Sequence, residues 1–233
     1  MKDSVFVAIH GLSKSFVGRP VLRDIELEVA PGTGLMIVGA NGSGKSTLLR
    51  LIAGLGTPSS GTLSIFGEDS RALSAASRRR IGAMTHQSRL YPNLTARENL
   101  EFSAAIFEVK DPRARATAML ERVGLASHAD TRVRALSKGM EQRLGAARAM
   151  IAEPDLIVFD EPFASLDSQG VAVIAEMLAS AMTRGASVVI SAHSASSFGS
   201  VAFDAITLRN GTLVRDSDSN SRADRAEQGL GAR

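Results

Sequence analysis

Short apolar runs recur along the chain, and most of them have the length and composition of β-strands. Residues 5–9 and 21–29 alternate apolar and polar positions, which predicts two strands of an antiparallel edge sheet. Continuous apolar runs at 34–38, 62–66, 81–85, 156–159 and 187–192 predict strands that are mostly buried. Residues 203–208 and 212–214 flank Asn210-Gly211, a dipeptide typical of a hairpin turn. The segment 13–18 between the first two strands is predicted to be turn-rich.

Helical periodicity separates these strands, and it dominates the middle of the chain. Helices are predicted at 48–53, 74–80, 141–152 and 171–183, and residues 87–140 are interpreted as a helical insertion in an α/β domain. Within the insertion, Thr95 and Glu98 form a capping-box pattern that opens a helix through residue 107. Asp111-Pro112 opens a second helix, which runs to residue 124. Residues 216–233 are polar and lack aromatics, which predicts a disordered tail.

A glycine-rich loop joins the strand at 34–38 to the helix that follows it, and it fits the pattern G-x-x-x-x-G-K-[ST]. Glycines allow successive backbone N–H groups to turn inward around phosphate oxygens, and the helix N-terminus adds partial positive charge. Lys45 is expected to reach the β- and γ-phosphates, and the Ser46 hydroxyl to bind Mg²⁺. The predicted nucleotide-binding residues of the loop are Gly39, Asn41, Gly42, Ser43, Gly44, Lys45, Ser46 and Thr47.

Polar residues follow three other apolar strands: Gln87, the pair Asp160-Glu161, and His193. Ligands of an open parallel sheet lie beyond the carboxyl ends of its strands, so these residues are expected to converge on the nucleotide. Asp160 is predicted to hold Mg²⁺, and Glu161 to polarise the attacking water. His193 could sense the γ-phosphate. Hydrolysis fits this set better than transfer, since no second substrate pocket is evident.

Composition narrows the class of protein without defining its function. The chain has 233 residues, enough for a folded domain, and its lack of cysteine fits a reducing compartment. Its net charge of +3 is too small to indicate nucleic-acid binding by itself. An arginine-rich run at 78–80 is more typical of a solvated helix end than of a nucleic-acid site. No run of about 18 apolar residues and no signal-peptide pattern is present, so work at a membrane would require a partner.

The segment Leu136-Ser-Lys-Gly-Met-Glu-Gln-Arg143 resembles the signature motif of ATP-binding-cassette (ABC) ATPases. Residues 164–167 are similar to the family's D-loop, Gln87 to its Q-loop, His193 to its switch histidine and Phe16 to its adenine-stacking A-loop. The resemblance runs from about residue 5 to 214. It implies the fold class: an α/β P-loop NTPase (RecA-like) core with a mixed sheet, an antiparallel β edge subdomain and a helical ABC insertion.

The family resemblance also implies how such a protein works. Two cassettes, as a homodimer or with a related chain, enclose two ATP molecules with Mg²⁺, and Ser137 and Gly139 contact the nucleotide held by the other copy. The domain expected at 1–215 divides into a core at 1–87 and 144–215 and a helical subdomain at 88–143. The region 87–107 is expected to contact integral membrane permease subunits at the cytoplasmic face of a bacterial membrane. Gln87 is expected to act both in catalysis and as a metal ligand.

Three departures from the family pattern leave alternatives open. Lys138 and Met140 stand where Gly and Gln are usual, and Lys138 is expected either to add charge near the nucleotide or to be solvated. Ser194 replaces an acid that often follows the switch histidine.

Several segments, among them 83–102 and 159–163, resemble the haem-exporter ATPase of cytochrome c maturation and related exporter ATPases. The alternatives are another ABC exporter, or a soluble scaffold ATPase of iron–sulfur assembly.

Overall fold

The computed structural model describes residues 5–85, 89–193 and 201–214. Gln87, Ser194 and the predicted tail at 216–233 lie outside these ranges. The strands are β1 Val7–Phe16, β2 Arg19–Val29, β3 Gly34–Val38, β4 Ser60–Ile65, β5 Glu68–Asp69, β6 Ile81–Met84, β7 Leu156–Phe159, β8 Ser187–Ala192, β9 Asp204–Arg209 and β10 Thr212–Val214. The α-helices are α1 Lys45–Ile52, α2 Ala75–Arg79, α3 Ala96–Ile106, α4 Pro112–Arg122, α5 Lys138–Met150 and α6 Ser168–Thr183.

The larger sheet has six strands in the order β10-β9-β3-β8-β7-β6. Strands β9, β3, β8, β7 and β6 are parallel to one another, and only β10 pairs antiparallel, with β9. The predicted mixed sheet is therefore confirmed. Because β3, β6, β7 and β8 run in one direction, the segments that follow them emerge at the same edge of the sheet.

The smaller sheet is antiparallel, in the order β2-β1-β4-β5, as the alternation at its first two strands predicts. The prediction of turns over residues 13–18 is wrong for its first part, since β1 continues to Phe16. The pairing of β1 with β2 shifts register at several points, and Gly11 has φ +56°. Such irregularities interrupt the period-two pattern, so the sequence conceals the second half of the strand. The turn itself is confined to Val17 and Gly18.

Apolar side chains pack on both faces of the larger sheet. On β7, Leu156 and Val158 belong to a core shared with α1 and the antiparallel sheet. Ile157 and Phe159 belong to a second core, shared with α3, α4, α5 and α6. All four side chains are buried. Burial on both faces explains why β7 is a continuous apolar run rather than an alternating one.

Side-chain caps define where the helices begin. The Thr95–Glu98 capping box is present at α3, and Asp111 caps α4 with Pro112 in its first turn, as predicted. Helix α5 begins at Lys138, within the signature segment, because the Ser137 hydroxyl accepts the Met140 N–H. Helix α6 begins at Ser168, before the predicted residue 171, because Asp167 caps it.

Candidate functional site

The glycine-rich loop spans the gap between β3 and α1, and its glycines are required sterically. Gly42 and Gly44 have φ values of +77° and +108°. A Cβ on Gly39 would lie 2.5 Å from the Leu208 carbonyl oxygen, and one on Gly44 would lie 2.9 Å from Leu22. Gly44 precedes α1 without providing a side-chain cap, and the first turn of the helix has no acidic residue. The N–H groups at this helix end are therefore suited to an anion.

Lys45 lies inside the curve of the loop. Its side chain is 5% exposed, and its Nζ donates to the carbonyl oxygens of Gly39 at 2.7 Å and Ala40 at 3.1 Å. The buried Ser43 Oγ has no hydrogen-bond partner among the residues that the structure describes. A buried ammonium and an unpaired buried hydroxyl are costly without a ligand that bonds to them. Phosphate oxygens would meet this need, so the loop fits a nucleotide phosphate chain.

The loop and Glu161 line one pocket. It has a volume of about 290 Å³ and is lined by Val21, Asn41, Gly42, Gly44, Lys45, Ser46, Thr47 and Glu161. The structure thus brings one predicted catalytic group to most of the predicted phosphate-loop residues. Gly39 and Ser43 line an adjoining cavity, which also includes His193.

Asp160 and Glu161 follow β7 and are held by Ser191 of the neighbouring strand β8. The Asp160 side chain is buried, and its Oδ1 accepts the Ser191 hydroxyl at 2.6 Å. The same Ser191 Oγ accepts the Glu161 N–H at 2.9 Å. One buried hydroxyl therefore orients both acidic residues. Sequence reasoning missed Ser191, although a serine near the end of an otherwise apolar buried strand is a signal for such a role.

A magnesium site would draw on Ser46 and Asp160. Ser46 is exposed at the start of α1, and Asp160 ends β7. A hydroxyl and one carboxylate are the hard oxygen donors that Mg²⁺ accepts while it keeps phosphate and water ligands. Within the described ranges there is no cluster of three or more histidine, cysteine or acidic side chains. The donor set fits Mg²⁺ held together with a nucleotide.

Glu161 and His193 are in direct contact. Glu161 Oε1 lies 3.2 Å from His193 Nε2, and the two side chains are 22% and 55% exposed. Glu161 has φ +50°, an uncommon conformation for a residue with a side chain. Strained backbone of this kind clusters at functional sites. A carboxylate supported by an imidazole beside a phosphate pocket has the chemistry of a water-activating base.

The two signature residues expected to contact nucleotide, Ser137 and Gly139, lie outside this pocket. Ser137 caps α5, and neither it nor Gly139 lines the phosphate pocket of its own chain. Lys138 is 85% exposed in its side chain, and its Nζ lies 3.0 Å from Glu141 Oε2. In the single chain, Lys138 is thus solvated and paired.

Phe16 ends β1 with half of its surface exposed. The Lys14 ammonium lies 5.0 Å from the centre of its ring and donates to the Thr57 carbonyl oxygen at 2.8 Å. Phe16 is not among the residues lining the phosphate pocket. Its exposed ring has the surface that a stacked base would need.

Comparison with known proteins identifies a family model and several relatives. The model described as "ABC transporter" matches residues 22–164. The Nod factor export ATP-binding protein I of Cupriavidus metallidurans is 35% identical over 82% of this chain and 63% of its own length. The lipoprotein-releasing system ATP-binding protein LolD of Pseudomonas fluorescens is 40% identical over 72% of this chain and 79% of its own. The chain thus spans somewhat under two thirds of the length of the Nod factor export relatives.

Solved structures show the same fold. A dimeric bacterial ABC transporter cassette superposes with a TM-score of 0.81 at 30% identity, covering 90% of this chain and 97% of that one. A dimeric post-hydrolysis cassette bound to ADP and Pi superposes with a TM-score of 0.79 at 29% identity, with the same coverage. The structure confirms the predicted P-loop NTPase fold class.

Proposed function

Because the chain belongs to the ABC transporter family, with its family model matching residues 22–164, we propose that it binds and hydrolyses ATP to drive a transporter. The observation that carries this proposal is the shared pocket of the phosphate loop and Glu161. The 3.2 Å contact between Glu161 and His193 supports it further. A binding cradle alone would not need a carboxylate aimed into it from another strand.

The site residues divide the reaction among them. The loop amides and Lys45 hold the triphosphate, and Lys45 exchanges its carbonyl partners for phosphate oxygens. Glu161 accepts a proton from the water that attacks the γ-phosphorus, and His193 orients that carboxylate. Ser46 and Asp160 would hold Mg²⁺, which would neutralise charge on the phosphate oxygens. Gln87 is proposed to join the metal and catalytic set.

We propose that the active unit is a dimer, of two copies or of this chain with a related cassette. Ser137 and Gly139 lie outside the chain's own phosphate pocket. Two solved relatives are described as dimeric. The first turn of α5 would then present backbone N–H groups and the Ser137 hydroxyl to a nucleotide bound by the partner.

The region 87–107 is proposed to contact a membrane permease. Of its described residues, Tyr91, Phe102 and Ile106 are exposed by 51%, 43% and 56%. The Tyr91 and Phe102 rings meet edge-to-face with their centres 5.2 Å apart. Exposed aromatic and aliphatic side chains that adjoin one another mark an interaction surface. No helix of the described ranges is long and apolar enough to cross a membrane.

This arrangement leads to a proposed location and division of the chain. The protein acts at the cytoplasmic face of a bacterial membrane through its permease. Residues 1–87 and 144–215 form the nucleotide-binding core, and 88–143 form the helical subdomain that meets the permease.

Export is the proposed direction of transport. Relatives are named for Nod factor export and for lipoprotein release. Neither name concerns haem, so haem export rests on the resemblance of short sequence segments alone. The scaffold ATPase of cofactor assembly is the competing function, and the names of the relatives, which concern export and release, favour a transporter.

Affinity purification from detergent-solubilised membranes of the native host tests the proposal. The wild-type chain should retain a polytopic membrane protein and hydrolyse ATP, whereas Tyr91→Glu and Phe102→Glu should lose the partner and keep ATP hydrolysis. Val17→Glu is the control, since Val17 is a fully exposed apolar residue elsewhere. Recovery of only soluble partners by the wild type would overturn the transport function.

A further inference from the structure

A single side chain, Gln142, connects helix α5 to the loop that holds Glu161. Its Nε2 donates to the Glu161 carbonyl oxygen at 3.1 Å and to the Pro162 carbonyl oxygen at 3.3 Å. Two carbonyl acceptors fix which end of the amide faces the loop, because only the nitrogen can donate. Gln142 is half-buried, so these hydrogen bonds are partly shielded from water.

The backbone of Glu161 is held from two directions. Its N–H donates to Ser191 Oγ on β8, at the centre of the sheet. Its carbonyl oxygen accepts from Gln142 and from the Ala164 N–H at 3.1 Å. Because Glu161 has φ +50°, its peptide groups need such anchors to keep the carboxylate in place. Ser191 belongs to the rigid core, whereas Gln142 belongs to the segment expected to meet a partner.

Gln142 lies on the same helical turn as Gly139. Residues three apart are neighbours on a helix surface, so Gly139 and Gln142 move together when α5 moves as one body. Gly139 also packs closely on the loop after Glu161, where an added Cβ would lie 3.1 Å from the Ser165 carbonyl oxygen. A shift of the first turn of α5 must therefore displace the Glu161 loop.

We infer that Gln142 is a positioning residue that couples the two ATP sites of the dimer within each chain. The inference rests on the proposed function. Each chain offers Ser137 and Gly139 to one nucleotide and Glu161 to the other. Gln142 lies one turn after Gly139 on α5 and hydrogen-bonds to the Glu161 backbone, so it links these two ends. Closure of α5 on the ATP of one site aligns the base at the second site.

Gln142→Met and Gln142→Glu test this role in the full-length chain. Methionine keeps the length and removes the donor, and glutamate places a carboxylate against two carbonyl oxygens. Gln169→Glu is the matched control, since Gln169 is exposed on α6 and receives the same charge change. The measurements are the Hill coefficient and kcat of ATP hydrolysis, the Kd for fluorescent ATP without Mg²⁺, and the Tm.

The wild type and Gln169→Glu should show a Hill coefficient above 1, with a ceiling of about 2 set by the number of sites. Both Gln142 variants should approach 1, with kcat lower by about tenfold, Kd changed less than about twofold and Tm retained.

A lower kcat with an unchanged Hill coefficient would assign Gln142 to one site and overturn the coupling. Wild-type values in both variants, or a wild-type Hill coefficient of 1, would overturn it as well, while the proposed ATPase function would stand. Absence of wild-type hydrolysis would overturn both.

Discussion

The Ser191 hydroxyl donates to Asp160 at 2.6 Å and accepts from the Glu161 N–H at 2.9 Å, so one side chain of β8 orients both acids that follow β7. Ser191→Ala would leave the buried Asp160 carboxylate and the half-buried Glu161 N–H without this partner. We expect a stability loss of about 1–3 kcal/mol and a fall in kcat of at least about tenfold.

Ser187→Ala is the control for this prediction. Ser187 is buried at the other end of β8, where its hydroxyl donates to the Ala30 carbonyl oxygen at 2.7 Å. Denaturant unfolding should show comparable losses for both variants, whereas the ATPase assay should separate them. Equal kcat values in the two variants would contradict the assigned role of Ser191.

Glu161→Gln should abolish turnover while ATP binding is preserved. The amide cannot accept the proton of the attacking water, and general bases contribute about 10²–10⁴-fold to rate. The variant should remain as an ATP-bound dimer in size-exclusion chromatography, since hydrolysis no longer opens it. Glu153→Gln is the matched control, because Glu153 also has a positive φ, +52°. Its carboxylate pairs with Arg115 and does not line the phosphate pocket. Hydrolysis by Glu161→Gln at the wild-type rate would disprove the assignment of the base.

Lys45→Ala should weaken nucleotide binding itself. The ammonium lies in the loop, against the carbonyl oxygens of Gly39 and Ala40, and its loss removes the positive charge that meets the phosphates. Titration with fluorescent ATP should show a Kd raised by at least about tenfold. Lys110→Ala, an exposed lysine at the end of the α3–α4 connection, should leave Kd unchanged. Unaltered ATP affinity in Lys45→Ala would place the phosphates elsewhere.

Phe16→Ala should reduce affinity for ATP but not for tripolyphosphate, which has no base to stack. Loss of a base–aromatic stack costs about 1–3 kcal/mol, or roughly tenfold in Kd near the middle of that range. Phe16→Tyr should restore binding because it keeps the ring. Competition of both ligands against fluorescent ATP makes the comparison, and an equal loss for both would show that Phe16 acts on the loop and not on the base.

Sequence patterns predicted the central elements well because the signals there are local. The bounds of β3, β7, β8 and β10 agree with their apolar runs, and the caps at Thr95 and Asp111 were readable from neighbouring residues. The second half of β1 was missed because its pairing is irregular. Local rules cannot show a strand whose period is broken by register shifts.

The contacts around Asp160 and Glu161 depend on packing that a single sequence does not show. Asp160, Glu161 and His193 were expected at one sheet edge because each follows a strand. The roles of Ser191 and Gln142 are not visible in the sequence, since their contacts with the acids join residues 31 and 19 positions apart. Such pairs depend on which strands are neighbours and where a helix packs, and no motif in one sequence specifies that.

Strand β8 lies between β3 and β7, so it alone separates the phosphate loop from Glu161 in the sheet. Two strand spacings of about 4.8 Å set that separation at roughly 10 Å. The distance between the phosphate loop and Glu161 is thus set by a strand that contributes no residue to the pocket that they share. Substitutions that change how β8 packs between β3 and β7 are therefore expected to change the rate of ATP hydrolysis, even when every residue of the phosphate loop is kept.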